Sequence, residues 1–195
     1  MKKTILITGS TDGIGKLAAV QLAKDGHEVY LHGRNAEKLQ KVLSEVKAQS
    51  GNENTGSFTA DFSDLAAVKE MAEQVKQEVR KLDVLINNAG VQHVAPIDEF
   101  PEAKWDLIMG VNLSAAFHTS KAVWPGMKKR GFGRIINLSS IHGVRASAFK
   151  SAYVAAKHGV VGLTKVLALE GGPHGITCNA ICPSYVKTPL VDGQI

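Results

Sequence analysis

The chain has 195 residues, of which 44% are hydrophobic and 21% charged. That mixture excludes a disordered segment and gives enough chain for one sizeable core, so a single domain is expected over residues 1–195. The net charge of +5 is scattered, with "MKKRG" (Met127 to Gly131) the one tight basic cluster; this argues against a nucleic-acid footprint and suits a phosphate-bearing small molecule equally well.

The opening "MKKTILITGS" places two lysines before a short apolar run. The run stops at Gly9, too soon for the apolar core of a signal peptide, and no cleavage site follows. No apolar segment reaches the ~20 residues that span a bilayer. The sequence therefore predicts a cytoplasmic protein with no membrane partner.

In chain order, "KTILITG" reads as a strand and residues from about Gly13 to Asp25 as a helix. "HEVYLHG" is the next strand, followed by a helix from Ala36 to about Gln49. "GSFTADF" leads into a charged helix from Leu65 to Val79, and "LDVLINNAG" into an amphipathic helical region. "GRIINLSS" and "GITCNAICPS" are two further strands, separated by a helix that carries "SAYVAAKHGVVG". Near-continuous apolar strands alternating with helices indicate parallel pairing buried on both faces. The expected fold is α/β, a single doubly wound parallel sheet. Cys178 and Cys182 would share a face of the last strand, about 13 Å apart at ~3.3 Å per residue. That is beyond disulfide reach, so both are expected as thiols in a reducing compartment, with no metal set.

Such a sheet places ligands outside the carboxyl ends of its strands. Those ends are "TGSTDGIG", "HGRN", "ADFS", "NNAG", "LSSIHG" and "CPSYVKTP", the segments richest in glycine and small polar residues. The first turn puts Gly9, Gly13 and Gly15 between strand and helix, where backbone can approach a pyrophosphate and a helix N-terminus offers N–H groups. After the second strand, Gly33 and Arg34 replace the acidic residue that would hold a ribose diol, which favours a 2′-phosphate and hence NADP(H). Asp12, in the same turn, has the opposite sign. Tyr153 and Lys157 are four apart on one helix face, where an ammonium could lower the phenol pKa towards the range of acid–base catalysis.

The spacing TGxxxGxG, with "NNAG", Asn112 in "VNLSAAF", Ser140 in "NLSS" and Tyr153 with Lys157, resembles the short-chain dehydrogenase/reductase family over the whole chain. The resemblance implies a catalytic set of Asn112, Ser140, Tyr153 and Lys157, with Asn112 anchoring a proton relay behind Lys157. It implies cofactor contacts from Gly9, Thr11, Gly13, Ile14, Gly15, Arg34, Asp61, Phe62, Asn88, Gly90, Tyr153, Lys157, Pro183, Val186 and Thr188. From "NNAGVQH" onward the chain is most similar to the bacterial D-3-hydroxybutyrate dehydrogenase branch, through "FPEAKWD", "NLSAAFH", "MKKRGFGRIIN" and "KSAYVAAKHGVVGLTK".

That branch implies a small carboxylate substrate held by Gln92, Ser140, His142, Lys150, Tyr185 and Gln194, and it favours NAD(H) where Gly33 and Arg34 favour NADP(H). Ser184 stands where the family usually has glycine, and Tyr185 where the branch carries tryptophan. Family members continue for some tens of residues beyond the position of Ile195, through a substrate lid and a last strand; either the sequence shown omits that tail or the molecule lacks it. The expected function is hydride transfer between a nicotinamide cofactor and 3-hydroxybutyrate or acetoacetate. The alternatives are an NADP(H)-dependent carbonyl reductase of another small ketone, and a truncated nucleotide-binding fold without catalysis. The apolar helix that follows Tyr153 predicts a homo-oligomer, a tetramer by resemblance.

Overall fold

A computed structural model of the chain describes residues 1–186. Six strands, β1 (Thr4–Ile7), β2 (Glu28–Gly33), β3 (Thr55–Thr59), β4 (Val84–Asn87), β5 (Gly133–Leu138) and β6 (Ile176–Ile181), form one sheet in the order β3-β2-β1-β4-β5-β6. Every pairing is parallel, so the doubly wound sheet expected from the sequence is present. The strands are shorter than their apolar runs because the carboxyl ends leave the ladder and turn into loops. "LDVLINNAG", for instance, contributes Val84–Asn87 only.

Helices α1 (Gly13–Lys24), α2 (Ala36–Ser50) and α3 (Leu65–Glu78) each start on a polar cap. Asp12 accepts from Gly13 N, Asn35 from Lys38 N and Asp64 from Ala66 N, satisfying donors that a first turn leaves open. Alternation along the strands divides the core. Ile5 and Ile7 join Ala19, Leu31, Leu39 and Val42 beneath α1 and α2. Leu6, on the other face, joins Val68, Met71, Leu85, Met127 and Ile135 beneath α3 and α5 (Ala115–Arg130). On that face α4 (Glu102–Met109) runs into α5 through a π-helical turn at Gly110–Ser114.

Helix α6 (Ser151–Gly171) lies against β6 and carries Tyr153 and Lys157. Contrary to the sequence reading, Ser151–His174 is long and apolar enough to cross a membrane by length and composition. Valines, leucines and alanines raise the average, and part of that apolar surface faces the fold. A third of the run is buried, with Ala152, Ala156 and Val160 inside the fold.

Candidate active site

The strand order reverses between β1 and β4, and the crevice opens at that switch point. Gly9 has φ +61°, and a Cβ there would stand 2.6 Å from Ala89 Cα, so both its backbone and its closeness to β4 require glycine. A Cβ on Gly15 would collide with the Asn88 amide. That amide donates to Thr8 O (3.0 Å) and Gly9 O (2.8 Å) and so knits the end of β4 to the turn. Asp12 takes the Gly13 N–H (2.9 Å), which leaves Ile14 and Gly15 N–H without intrahelical acceptors. The Asp12 carboxylate is itself paired with Lys38 Nζ at 2.9 Å, so it does not oppose an anion with a full charge. The donor set and the open first turn of α1 fit a pyrophosphate.

At the neighbouring strand ends, Gly33 is buried against Thr11, whose Cγ2 occupies the place a side chain would need. Arg34 is exposed beside it. The Asp61 carboxyl is held below its ordinary value by hydrogen bonds from Ser63 N (2.9 Å) and Oγ (2.7 Å), with Arg34 adding to the effect. Phe62 turns inward and stacks on His32, ring centroids 4.0 Å apart. His32 is a residue that sequence reasoning passed over. The signal was available, since a histidine beside Gly33 in a strand buried on both faces needs a partner for each nitrogen.

Ser140, Tyr153 and Lys157 meet across β5 and α6. Ser140 ends the extended segment after β5, and its Oγ accepts from His142 N at 3.2 Å. Tyr153 and Lys157 are only 9% and 4% exposed. Burial pushes the Tyr153 phenol up, and a hydrogen bond with Ser140 acts against that rise. Burial pushes the Lys157 amine down to about 8. The sequence expectation that Lys157 lowers the phenol pKa is not met in the free protein. The ammonium bonds the Leu138 carbonyl at 2.7 Å, and desolvation dominates both groups.

Asn112 sits within the π-helical turn, the kind of local miswinding that recurs at functional sites. Its amide clasps the Val91 backbone in both directions, accepting from Val91 N (2.8 Å) and donating to Val91 O (2.9 Å). A Cβ on Gly90 would lie 3.6 Å from Asn112 Oδ1 and 3.8 Å from Lys157 Nζ, so both polar groups border the space that glycine leaves.

Around this cluster, His142 is buried between Ser147 Oγ (2.9 Å from Nε2) and Ser140 Oγ (3.3 Å from Nδ1). It sits edge-on to Tyr153 at 5.9 Å between centroids. Burial first, and then the charge of Lys150, hold its pKa below the ordinary value. Lys150 stands at the entry to α6, with Nζ 5.9 Å from the centroid of the exposed Tyr185 ring. Gln92 lies in the loop after β4, which a bond from Ala95 N to Phe149 O (3.0 Å) ties to the α6 entry. Pro183 O accepts from Ile141 N at 2.8 Å, and Val186 is exposed just beyond. Thr188 and Gln194 lie outside the described residues.

A glycine turn at the switch point, together with Ser140 and the buried Tyr153 and Lys157, defines an NAD(P)-dependent oxidoreductase acting on CH–OH groups. The chain belongs to the short-chain dehydrogenase family, whose model matches residues 3–194. It is 49% identical over 196 residues to a D-beta-hydroxybutyrate dehydrogenase of Rhizobium meliloti (strain 1021), covering 100% of this chain and 76% of that protein. A D-beta-hydroxybutyrate dehydrogenase of Cupriavidus necator is 47% identical over 193 residues, covering 99% and 74%. Among solved structures, a gluconate 5-dehydrogenase from Burkholderia cenocepacia J2315 in complex with NADP and tartrate superimposes with a TM-score of 0.92. It is 32% identical, over 99% of this chain and 75% of that one.

Proposed function

We propose that the protein interconverts D-3-hydroxybutyrate and acetoacetate, with Tyr153 as the general acid/base. The observation that carries this reading is the meeting of half-buried Ser140 with buried Tyr153 and Lys157, beside His142 and Lys150. The likeness to the two hydroxybutyrate dehydrogenases supports the substrate. Bound nicotinamide supplies or accepts the hydride. Ser140 Oγ holds the substrate oxygen, and Tyr153 Oη takes the hydroxyl proton in oxidation or gives it back in reduction. Lys157 stabilises the phenolate once the site is filled, and Asn112 fixes the Gly90–Val91 backbone beside it. Lys150 supplies a positive charge for the substrate carboxylate, while His142 and Gln92 offer directed hydrogen bonds.

Gly33 and Arg34 support NADP(H) over NAD(H). Thr11 fills the space where an acidic residue would reach a ribose diol, and Arg34 stands free to face a 2′-phosphate. Exposed Val166 and Leu169 on α6 and Phe117 on α5 support burial against another copy of the chain, as in a homo-tetramer. The free thiols Cys178 and Cys182 suit the reducing cytoplasm. Steady-state assays with 3-hydroxybutyrate and each coenzyme test the reading. Turnover is expected, and its absence with both coenzymes, in protein shown to bind one, would sink it.

A further inference from the structure

The N–H groups of Thr8, Gly9 and Ser10 form the rim of the glycine turn, and each has a different fixed acceptor. Thr8 N donates to Ile86 O at 2.9 Å. The other two are both served by His32: Ser10 N donates to its carbonyl (2.9 Å) and Gly9 N to its ring Nδ1 (3.0 Å). Ser10 Oγ in turn accepts from His32 N at 2.9 Å. Because the Gly9 amide can only donate, Nδ1 must be the unprotonated nitrogen, so Nε2 carries the hydrogen and donates it to Ala60 O at 3.1 Å. The ring is 3% exposed and lies flat on Phe62, the residue after Asp61. One side chain thus touches the turn after β1 and the loop after β3, the two segments that flank the crevice on this side of the switch point.

We propose that His32 is a positioning residue of the dinucleotide site: its ring locks the glycine turn to the Ala60–Phe62 loop and thereby sets the affinity for the adenosine half of the cofactor. This rests on the reading that those two segments bind a nicotinamide dinucleotide. A core histidine placed only to fill space would not need both nitrogens in one tautomer. An apolar replacement would fill the same volume and leave the Gly9 N–H without its acceptor. Since His32 touches neither the 2′-position nor the Ser–Tyr–Lys cluster, its effect falls equally on NAD(H) and NADP(H) and spares the chemical step. Arg34, by contrast, acts on NADP(H) alone.

The test compares His32→Leu with His32→Asn, whose Oδ1 stands where Nδ1 stood. Fluorescence titration with NADH and NADPH, and kcat at saturating coenzyme, are measured for each. Expected for His32→Leu is at least a tenfold weaker Kd for both coenzymes with kcat within about threefold. Expected for His32→Asn is a Kd within about threefold of the parent. Parent-like binding by His32→Leu overturns the proposal, as does an equal loss in both variants or a fall in kcat at unchanged Kd. If His32→Leu does not fold, nitrogen-15 NMR of the parent at pH 7 decides: the Nε2–H tautomer, perturbed by added coenzyme, supports the proposal. The Nδ1–H tautomer, an imidazolium, or signals indifferent to coenzyme overturn it. A parent that binds neither coenzyme removes the dinucleotide reading itself, an outcome distinct from variant-specific failure.

Discussion

Lys157 ties its ammonium to the Leu138 carbonyl at 2.7 Å while standing 5.5 Å from the centroid of the Tyr153 ring. Burial therefore acts on the two in opposite senses, raising the phenol and lowering the amine, and the free protein disfavours the charged form of each. The role proposed for Tyr153 therefore requires that its phenol be activated in the filled site.

Tyr153→Phe keeps the ring beside His142 and removes only the hydroxyl that bonds Ser140. A loss of kcat of about 10²–10⁴-fold is expected, the range of a lost general acid/base, with coenzyme Kd nearly unchanged. Stopped-flow turnover and fluorescence titration measure the two quantities. Near-parental kcat would remove Tyr153 from the proton path.

Lys157→Met should abolish activity and yet stabilise the fold. The ordinary lysine value of 10.5 drops to about 8 in the folded chain, so between those values the unfolded chain holds the proton more tightly. Stability thus rises with pH across that window, and below pH 8 the fold bears the full cost of the buried charge. The drop corresponds to about 3 kcal/mol, reduced by the donor that the Leu138 carbonyl loses. Urea titrations should show the variant ahead at pH 7 and the gap closing by pH 10.5. Parallel curves over that range would contradict the assignment.

Protonation of His32 should weaken the fold in acid. Burial pushes its pKa from 6.5 down to about 4, against the opposing pull of Ala60 O and Asp61. The unfolded chain takes up the proton first, so this contribution is intact above pH 6.5 and is lost as pH falls towards 4. Its size is about 3 kcal/mol. Urea midpoints for the parent should fall more steeply from pH 7 to 4.5 than those of His32→Asn; identical slopes would count against it.

Arg34→Ala should raise the Kd for NADPH by about tenfold or more, the scale of a lost charge-assisted pair, while NADH binding stays within about twofold. Gly33→Asp should fail to transfer the preference cleanly to NADH, because the new Cβ meets Thr11 before its carboxylate can reach a ribose. Paired titrations with both coenzymes decide. An equal effect of Arg34→Ala on the two would remove it from the 2′-position.

The frame of the fold was legible because its signals are local. Val29 and Leu31 in β2, or Ile5 to Ile7 in β1, are apolar runs that belong in a sheet covered on both sides. The order of Ser140, Tyr153 and Lys157 was legible through the family pattern. Their protonation was not, since it depends on how deeply α6 and β5 bury each group, which spacing alone does not carry. The membrane-like average of α6 shows the same limit: composition records apolarity, not what the helix lies against. His32 was missed because its partners come from turns 23 and 28 residues away.

From Glu102 to Arg130 the chain is one helical run interrupted by a single wide turn at Asn112. Such a run has a reading frame. The π-turn holds one residue more than regular winding needs, so deleting one residue there would restore the α-helix and keep Thr119 and Met127 facing the sheet, while removing the bulge that presents Asn112 to Val91. A deletion elsewhere in α4 or α5 would instead rotate everything beyond it by about 100°. The run can thus shorten only at the turn whose extra width the Asn112 clasp uses.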